Sequence, residues 1–361
     1  MSINVLEFGA VGDGATDCTD ALMQAAAYDG TVYFPKGTYI IKRQIDAVNY
    51  LRWTGEGSET VIKLTPEIHG EPKFYKNKTV YVTKMLKMEN GSIFELHNIK
   101  FDADKDAFDR DEYNNGSSRL DHTSCVEVWK ADKIILDGCD FTNALIEGVY
   151  IQETSDITIT RCSFCGNGYR LDDASGLHIF GNFQESPSIR ISDCKFFGNG
   201  FNGLLLNGIY GAVVNNISCC DNGYDGVALW NGASRCMFSN IFCENNRAGI
   251  HFRGDDRGWQ RDSVRDHNEE RCFSTRNIIN GLVTSKNKYG ILWGCSRDII
   301  LYGWVGSDEY SHCLFYEETE TDVTANIFGA VLFPTEGDIL DESDNPDRFR
   351  AMITYAASEK L

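Results

Sequence analysis

Proline, basic charge and long apolar runs are what this sequence has least of. Only 6 prolines occur in 361 residues, and Lys+Arg total 34 against 53 for Asp+Glu, a formal net charge of −19. So acidic a balance lacks the basic face that nucleic acid requires, and nucleic acid is excluded as the expected partner. It also disfavours, less strongly, a polyanionic one. No apolar run approaches the ~20 residues of a membrane span, so no membrane partner is expected. The opening MSINVLEF has neither a basic segment nor an apolar h-region, so no secretory signal is read there. The 13 cysteines form no Cys/His cluster at zinc spacing, and this predicts free, buried thiols in a reducing compartment.

What the sequence does have is glycine, 34 residues of it, and a repeat. From about residue 96 a short strand-like pattern recurs in HNIKFDA, LDGCDFTN, ITRCSFCGN, ISDCKFFGN, VNNISCCDN, FSNIFCEN and IINGLVTSKN. One small apolar slot holds Ile99, Cys139, Cys162, Cys194, Ile217, Ile241 and Gly281, at intervals of 40, 23, 32, 23, 24 and 40. A second strand follows in EGVYIQ, SGLHIF, NGLLLN, DGVALW, AGIHFR and YGILWG, each opened by a glycine. After the glycine, apolar and other residues alternate, so Val149 and Ile151 point inward and Tyr150 and Gln152 outward. A base period of 23 to 24 with short strands and no 3.6-residue periodicity predicts one coil of a solenoid. The predicted fold is all-β, a right-handed parallel β-helix with an N-terminal capping helix. Stacked Asn167, Asn199, Asn222, Asn245 and Asn287 would form an amide ladder, and Cys139, Cys162 and Cys194 a core stack.

The stretch FGAVGDGATDCTDALMQAAAYDGTVYFPKGTYII first suggests a phosphate-binding glycine loop. Its glycines run G-x-x-G-x-G, and Asp17 stands where a third would be needed, so that reading fails. Phe8-Gly9-Ala10-Val11-Gly12-Asp13-Gly14, Thr16-Asp17, Ala21 and Val32-Tyr33-Phe34-Pro35-x-Gly37-x-Tyr39, followed by WTGEGSETVIKL, resemble the N-terminal signature of the pectate-lyase-like superfamily. That superfamily contains polygalacturonases, polysaccharide lyases, alginate epimerases and phage tailspikes. The motif resemblance covers about residues 4–64. Thr16 or Asp17 would cap a helix over about 18–28, which closes the end of the β-helix. The chain is read as a single domain. Residues 1–64 form the cap and first coils, and 65–305 the coils, with insertions at 102–122 and 254–271. Residues 306–361 form a C-terminal cap or tail.

In the resembled enzymes, substrate lies along the glycine-led strands. Here that face would present Tyr150, His178, Asn207, Trp230, His251 and Arg253 as sugar-binding groups. Glu147, Asp172, Asp173, Asp225, Asp255 and Asp256 lie beside it as candidate catalytic carboxylates. Neighbouring coils are spaced ~4.8 Å, so acids one or two coils apart reach the separations that retaining and inverting glycosidases use. Turn chemistry alone also places aspartates near strand ends. The polygalacturonase motifs N-T-D, G-D-D, G-H-G and R-I-K and the epimerase motif Y-G-[FI]-D-P-H do not align in order here. No metal or cofactor is expected. Asp102, Asp104 and Asp106 resemble the start of an EF-hand loop, but Ala107 and Tyr113 replace its glycine and glutamate. A Ca²⁺ site there is the one alternative to a solvated acidic loop. The leading expectation is a glycoside hydrolase acting on a carbohydrate. A β-eliminating lyase with His251 as base and Arg253 or Ca²⁺ as charge neutraliser is the second. A non-catalytic, homotrimeric glycan-binding phage spike or adhesion β-helix is the third. The location expected is cytoplasm or phage virion.

Overall fold

A computed structural model describes residues 2–65, 71–75, 78–82, 84–107, 124–154, 156–168, 174–181, 188–253, 274–294, 296–309, 325–332 and 349–355. The chain is an all-β parallel β-helix, as expected, and divides into two compact units. One comprises Met1–His178 with Phe197–Phe201, the other Ile179–Phe196 with Asn202–Leu361.

In the first unit, strand Ile93–Asp102 pairs in parallel with Lys133–Asp137 and Asp140–Thr142 of the next coil. These pair in turn with Asp156–Thr160 and Ser163–Cys165. In-register pairing stacks like on like. Phe101, Phe141 and Phe164 form a column of rings with centroids 5.6 and 5.3 Å apart. The second unit repeats the plan with Val213–Cys220, Met237–Glu244, Ile278–Ser285 and Ile299–Ser307. The pattern continues past residue 306. Ala325–Leu332 and Phe349–Tyr355, which by sequence stand outside the repeat, add further parallel strands to this sheet.

Two expected columns need correction. The slot after Ile241 is filled by Leu282, not Gly281; Gly281 has φ +72° and matches Asn240, which sits in the left-handed bend at φ +53°. The amide ladder runs through Asn246, not Asn245. Asn222 Nδ2 donates to Asn246 Oδ1 at 2.9 Å, and Asn246 Nδ2 to Asn287 Oδ1 at 3.0 Å. The ladder then ends on the buried carboxylate of Asp308, which accepts from Asn287 N and Nδ2. The register is set by the preceding strand, where Cys219 pairs with Cys243, and not by distance to the following glycine. Asn167 and Asn199 make the corresponding pair in the first unit at 3.1 Å. All cysteines described are free; Cys139 and Cys162 are buried in the first unit, and Cys194 in the second.

The α-helix spans Thr19–Ala26 and buries Leu22, Ala25 and Ala26. It packs against Ile45–Ala47, the terminal strand of the glycine-led sheet. Cys18 is its N-cap residue without a side-chain cap, while Asp17 Oδ1 accepts from Thr19 N at 2.9 Å. The glycine-rich opening closes on itself. The Asp13 carboxylate accepts from Ala15 N at 2.9 Å, Thr16 N at 2.8 Å and Thr16 Oγ1 at 2.7 Å. A Cβ on Gly37 would meet Gly12 O at 2.7 Å, so the two glycines let these strands touch.

Candidate functional site

The glycine-led strands build a face in each unit. In the first, Glu147–Gln152 pairs in parallel with Ser124–Trp129, which lacks an opening glycine, and that strand pairs with Leu86–Glu89 ahead of it. In the second they are Leu204–Asn207, Asp225–Trp230, Ala248–Arg253 and Tyr289–Trp293. Alternation turns every second side chain outward, away from the packed interior.

One device appears in both units. An acid stands immediately before the glycine of one coil, and a histidine two residues after the glycine of the next. In the first unit His178 Nδ1 lies 2.6 Å from Oε1 of Glu147, which is fully buried. In the second, His251 Nδ1 lies 2.6 Å from Oδ2 of Asp225, also fully buried. A carboxylate that close must accept a proton from Nδ1. This fixes the tautomer and leaves the lone pair of a neutral ring on Nε2.

The second unit adds an arginine. Arg247 Nε donates to Asp225 Oδ1 at 3.0 Å, and its Nη2 to Oδ2 at 3.1 Å. Burial pushes the Asp225 carboxyl upward, but His251 and Arg247 together outweigh it and hold the group below the usual carboxylate range. Asp225 therefore stays ionised. Arg247 Nη2 is also 2.9 Å from His251 Nδ1, but with Nδ1 protonated toward Asp225 that approach is a contact and not a hydrogen bond. The guanidinium is further held over the Tyr224 ring, 3.4 Å from its centroid. Beside this cluster the guanidinium of Arg253 lies 4.8 Å over Trp230, and Asn231 Nδ2 donates to Asn207 Oδ1 at 2.8 Å.

In the first unit the neighbours of the dyad are aromatic and ionic. Tyr150 meets His178 edge-on at 5.0 Å and Trp129 at 6.4 Å, and donates its hydroxyl to Gln152. Lys84 pairs with the fully buried Glu127. Lys84 and Lys87 both lie within 6 Å of the Trp129 ring, at 5.7 and 5.8 Å.

The structure thus brings Glu147, Tyr150 and His178 together in one unit. It gathers Asn207, Asp225, Trp230, His251 and Arg253 on the face of the other. Asp172, Asp173, Asp255 and Asp256 lie outside the described residues, as does most of the 102–122 and 254–271 insertions, including Tyr113. Among the described residues no group of three His, Cys, Asp or Glu side chains could hold a metal ion. No helix among them is long and apolar enough to cross a membrane. Sequence reasoning missed Arg247, Glu127, Lys84 and Trp129. Arg247 had a signal, lying four residues before the histidine in NNRAGIH. The coil holding Glu127 had none, because SCVEVW lacks the opening glycine.

No curated protein matches the chain. Among solved structures, the N-terminal fragment of gene product 12 of bacteriophage phi29 is similar. It has a TM-score of 0.54 and 15% identity over 91% of this chain and 57% of that one. ORF18 of Geobacillus virus E2 gives 0.51 and 18% over 92% and 61%. The Agl-KA catalytic domain gives 0.54 and 13% over 99% and 68%. The chain therefore spans less than two thirds of the length of either phage protein. At these identities the likeness is one of fold. The family described as rhamnogalacturonase A/epimerase, pectate lyase-like, matches residues 2–200, and the chain belongs to it.

Proposed function

We propose that this carbohydrate-active β-helix cleaves a glycosidic bond in a uronate-bearing glycan by β-elimination, with His251 as the base. The observation that carries this reading is the buried Asp225 bonded at 2.6 Å to His251 Nδ1. Nε2 takes the proton α to the sugar carboxylate. The electron pair left behind forms the C=C bond, and the glycosidic oxygen leaves with the departing sugar. Asp225 stabilises the imidazolium formed, and Arg247 keeps Asp225 from taking the proton itself. Arg253, two residues along the same strand, neutralises the substrate carboxylate. Trp230 offers an apolar ring beside it.

The hydrolase reading pairs Glu147 with Asp172 or Asp173, and Asp225 with Asp255, for proton transfer. Glu147 and Asp225 are each engaged by a histidine Nδ1 at 2.6 Å, which leaves the histidine Nε2 for proton transfer, and this supports the lyase reading. The test is a panel of uronate glycans with two readouts, ultraviolet absorbance of a conjugated uronate and release of reducing ends. Both should rise together. Reducing ends without absorbance would establish hydrolysis instead, and neither would establish a binding protein. His251→Ala and Asp225→Asn should each lower kcat by about 10²–10⁴-fold. Arg253→Ala should act mainly on KM.

A further inference from the structure

The outer face of the second unit's long sheet has an apolar, uncharged centre. The strands Val213–Cys220, Met237–Glu244, Ile278–Ser285, Ile299–Ser307 and Ala325–Leu332 lie side by side in register. In one outward row Val213 and Met237 stack, the latter 53% exposed, and Ile278 and Ile300 continue the row. A second row carries Phe242, Val283 and Val305, each more than a third exposed, and leads to Val331. Between them Tyr302 and Phe328 stack at 5.1 Å, with 44% and 39% exposure. The remaining outward positions of this central grid are Asn215, Ser239, Asn280, Asn326 and Ser218, so none is charged in a chain that is 24% Asp, Glu, Lys and Arg.

Charge returns at the border, where exposed Arg190 on the preceding strand stands in register with Val213. Arg235, Arg276 and Asp298 stand exposed just ahead of three of the strands. Lys286 pairs with Glu244 at 2.7 Å along the opposite side. An apolar centre inside a charged rim is the anatomy of a protein interface, not of an ordinary solvated sheet.

We infer that this face packs against the same face of another copy of the chain. Two observations choose that occupant. The chain carries −19 net charge, so copies repel through most surfaces, and a face used for self-packing must exclude acids, as this one does. In-register ladders also make the rows regular along the sheet, so a twofold operation lays apolar rows on apolar rows at the ~10 Å spacing of packed sheets. Five strands at ~4.8 Å and five residues at ~3.3 Å give a footprint of roughly 500 Å² with side chains, so a pair buries roughly 1,000 Å², the lower bound for a specific interface.

The experiment is sedimentation velocity and light scattering on the full chain. The wild type should exceed the 40.5 kDa of one chain, and Val283→Asp with Val305→Asp should return it to 40.5 kDa with unchanged circular dichroism. Val48→Asp, at a 72% exposed valine of the first unit, is the control and should leave the mass unchanged. A wild type at 40.5 kDa at every concentration overturns the inference and leaves the face to a different partner. An oligomer indifferent to the double variant overturns it as well. If the double variant loses its circular dichroism, Val283→Ser with Val305→Ser replaces it, with the same outcomes.

Discussion

The two units share an interior and differ in what they show to water. Inside, the first stacks Phe94 on Ile134 and Ile157, and Phe101 on Phe141 and Phe164. The second stacks Val214 on Phe238 and Ile279, and Ile217 on Ile241 and Leu282. Outside, the first sheet carries Glu95, His97, Lys100 and Asp102 on one strand and Lys133, Asp137 and Asp140 on the next. These pair across coils, as Arg161 does bidentately with Asp137, donating from Nε to Oδ1 at 2.9 Å and from Nη2 to Oδ2 at 2.6 Å. The second sheet replaces such residues with valine, methionine, phenylalanine and tyrosine. A coil therefore specifies its fold with the inward residues of each strand and leaves the outward ones available for another purpose. The acid–histidine device makes the same point. It occurs in both units; in the second Arg247 backs the acid, and the position matching Arg247 in the first is Ala174.

If the interiors are equivalent, large deletions in them should cost the same. Phe141→Ala and Phe238→Ala, both fully buried, should each destabilise by about 3–5 kcal/mol in urea unfolding. A clear gap between them would break the equivalence. The amide ladder gives the next largest effect. Asn246→Ala removes donors to Cys219 O and Asn287 Oδ1 and the acceptor of Asn222, and should cost about 3 kcal/mol. Its neighbour Asn245 is exposed in a left-handed bend, so Asn245→Gly should change stability by less than about 0.5 kcal/mol.

That adjacent pair also shows how far the sequence could be read. The coil period, the glycine-led strands and the alternation are local patterns, and they led directly to the fold. Choosing Asn246 over Asn245 needed cross-strand register, which is fixed by Cys219 facing Cys243 and is not a local property. The same holds for Leu282 over Gly281. The candidate face was legible because outward positions follow from alternation, and His178 and His251 were found that way. That Glu147 and Asp225 are sealed beneath those histidines was not legible, because burial of an outward residue depends on what covers it. The uncharged outer sheet was legible in principle, since Met237, Phe242, Val283 and Val305 are apolar where alternation predicts polar.

The exteriors should respond to salt in opposite directions. Arg161 is 65% exposed, so Arg161→Ala should cost less than about 1 kcal/mol at low salt and less still at high salt. The same salt screens the repulsion between copies and strengthens apolar contact, so the association through the second unit should tighten. A uniform weakening of both would contradict the division into a charged and an apolar exterior.

The smallest effect belongs to the opening turn. The backbone N–H groups of Thr16 and then Ala15, with the Thr16 hydroxyl, bring the Asp13 carboxyl down to about 2. A group whose folded value lies below its unfolded one adds stability above the unfolded value and loses it as pH falls toward the folded one. The contribution of Asp13 is therefore whole above about pH 4 and fades between about 4 and 2. Asp225 titrates in the same direction below the ordinary carboxylate range, so acid should weaken both units at once. Asp13→Asn separates them. It keeps an acceptor for the turn and removes the charge, so it should flatten only the acid sensitivity of the first unit. Hydrogen exchange read separately over the Gly12–Gly37 contact and over the Asp225–Trp230 strand reports each. Equal flattening in both would mean that the acid response does not originate in the turn.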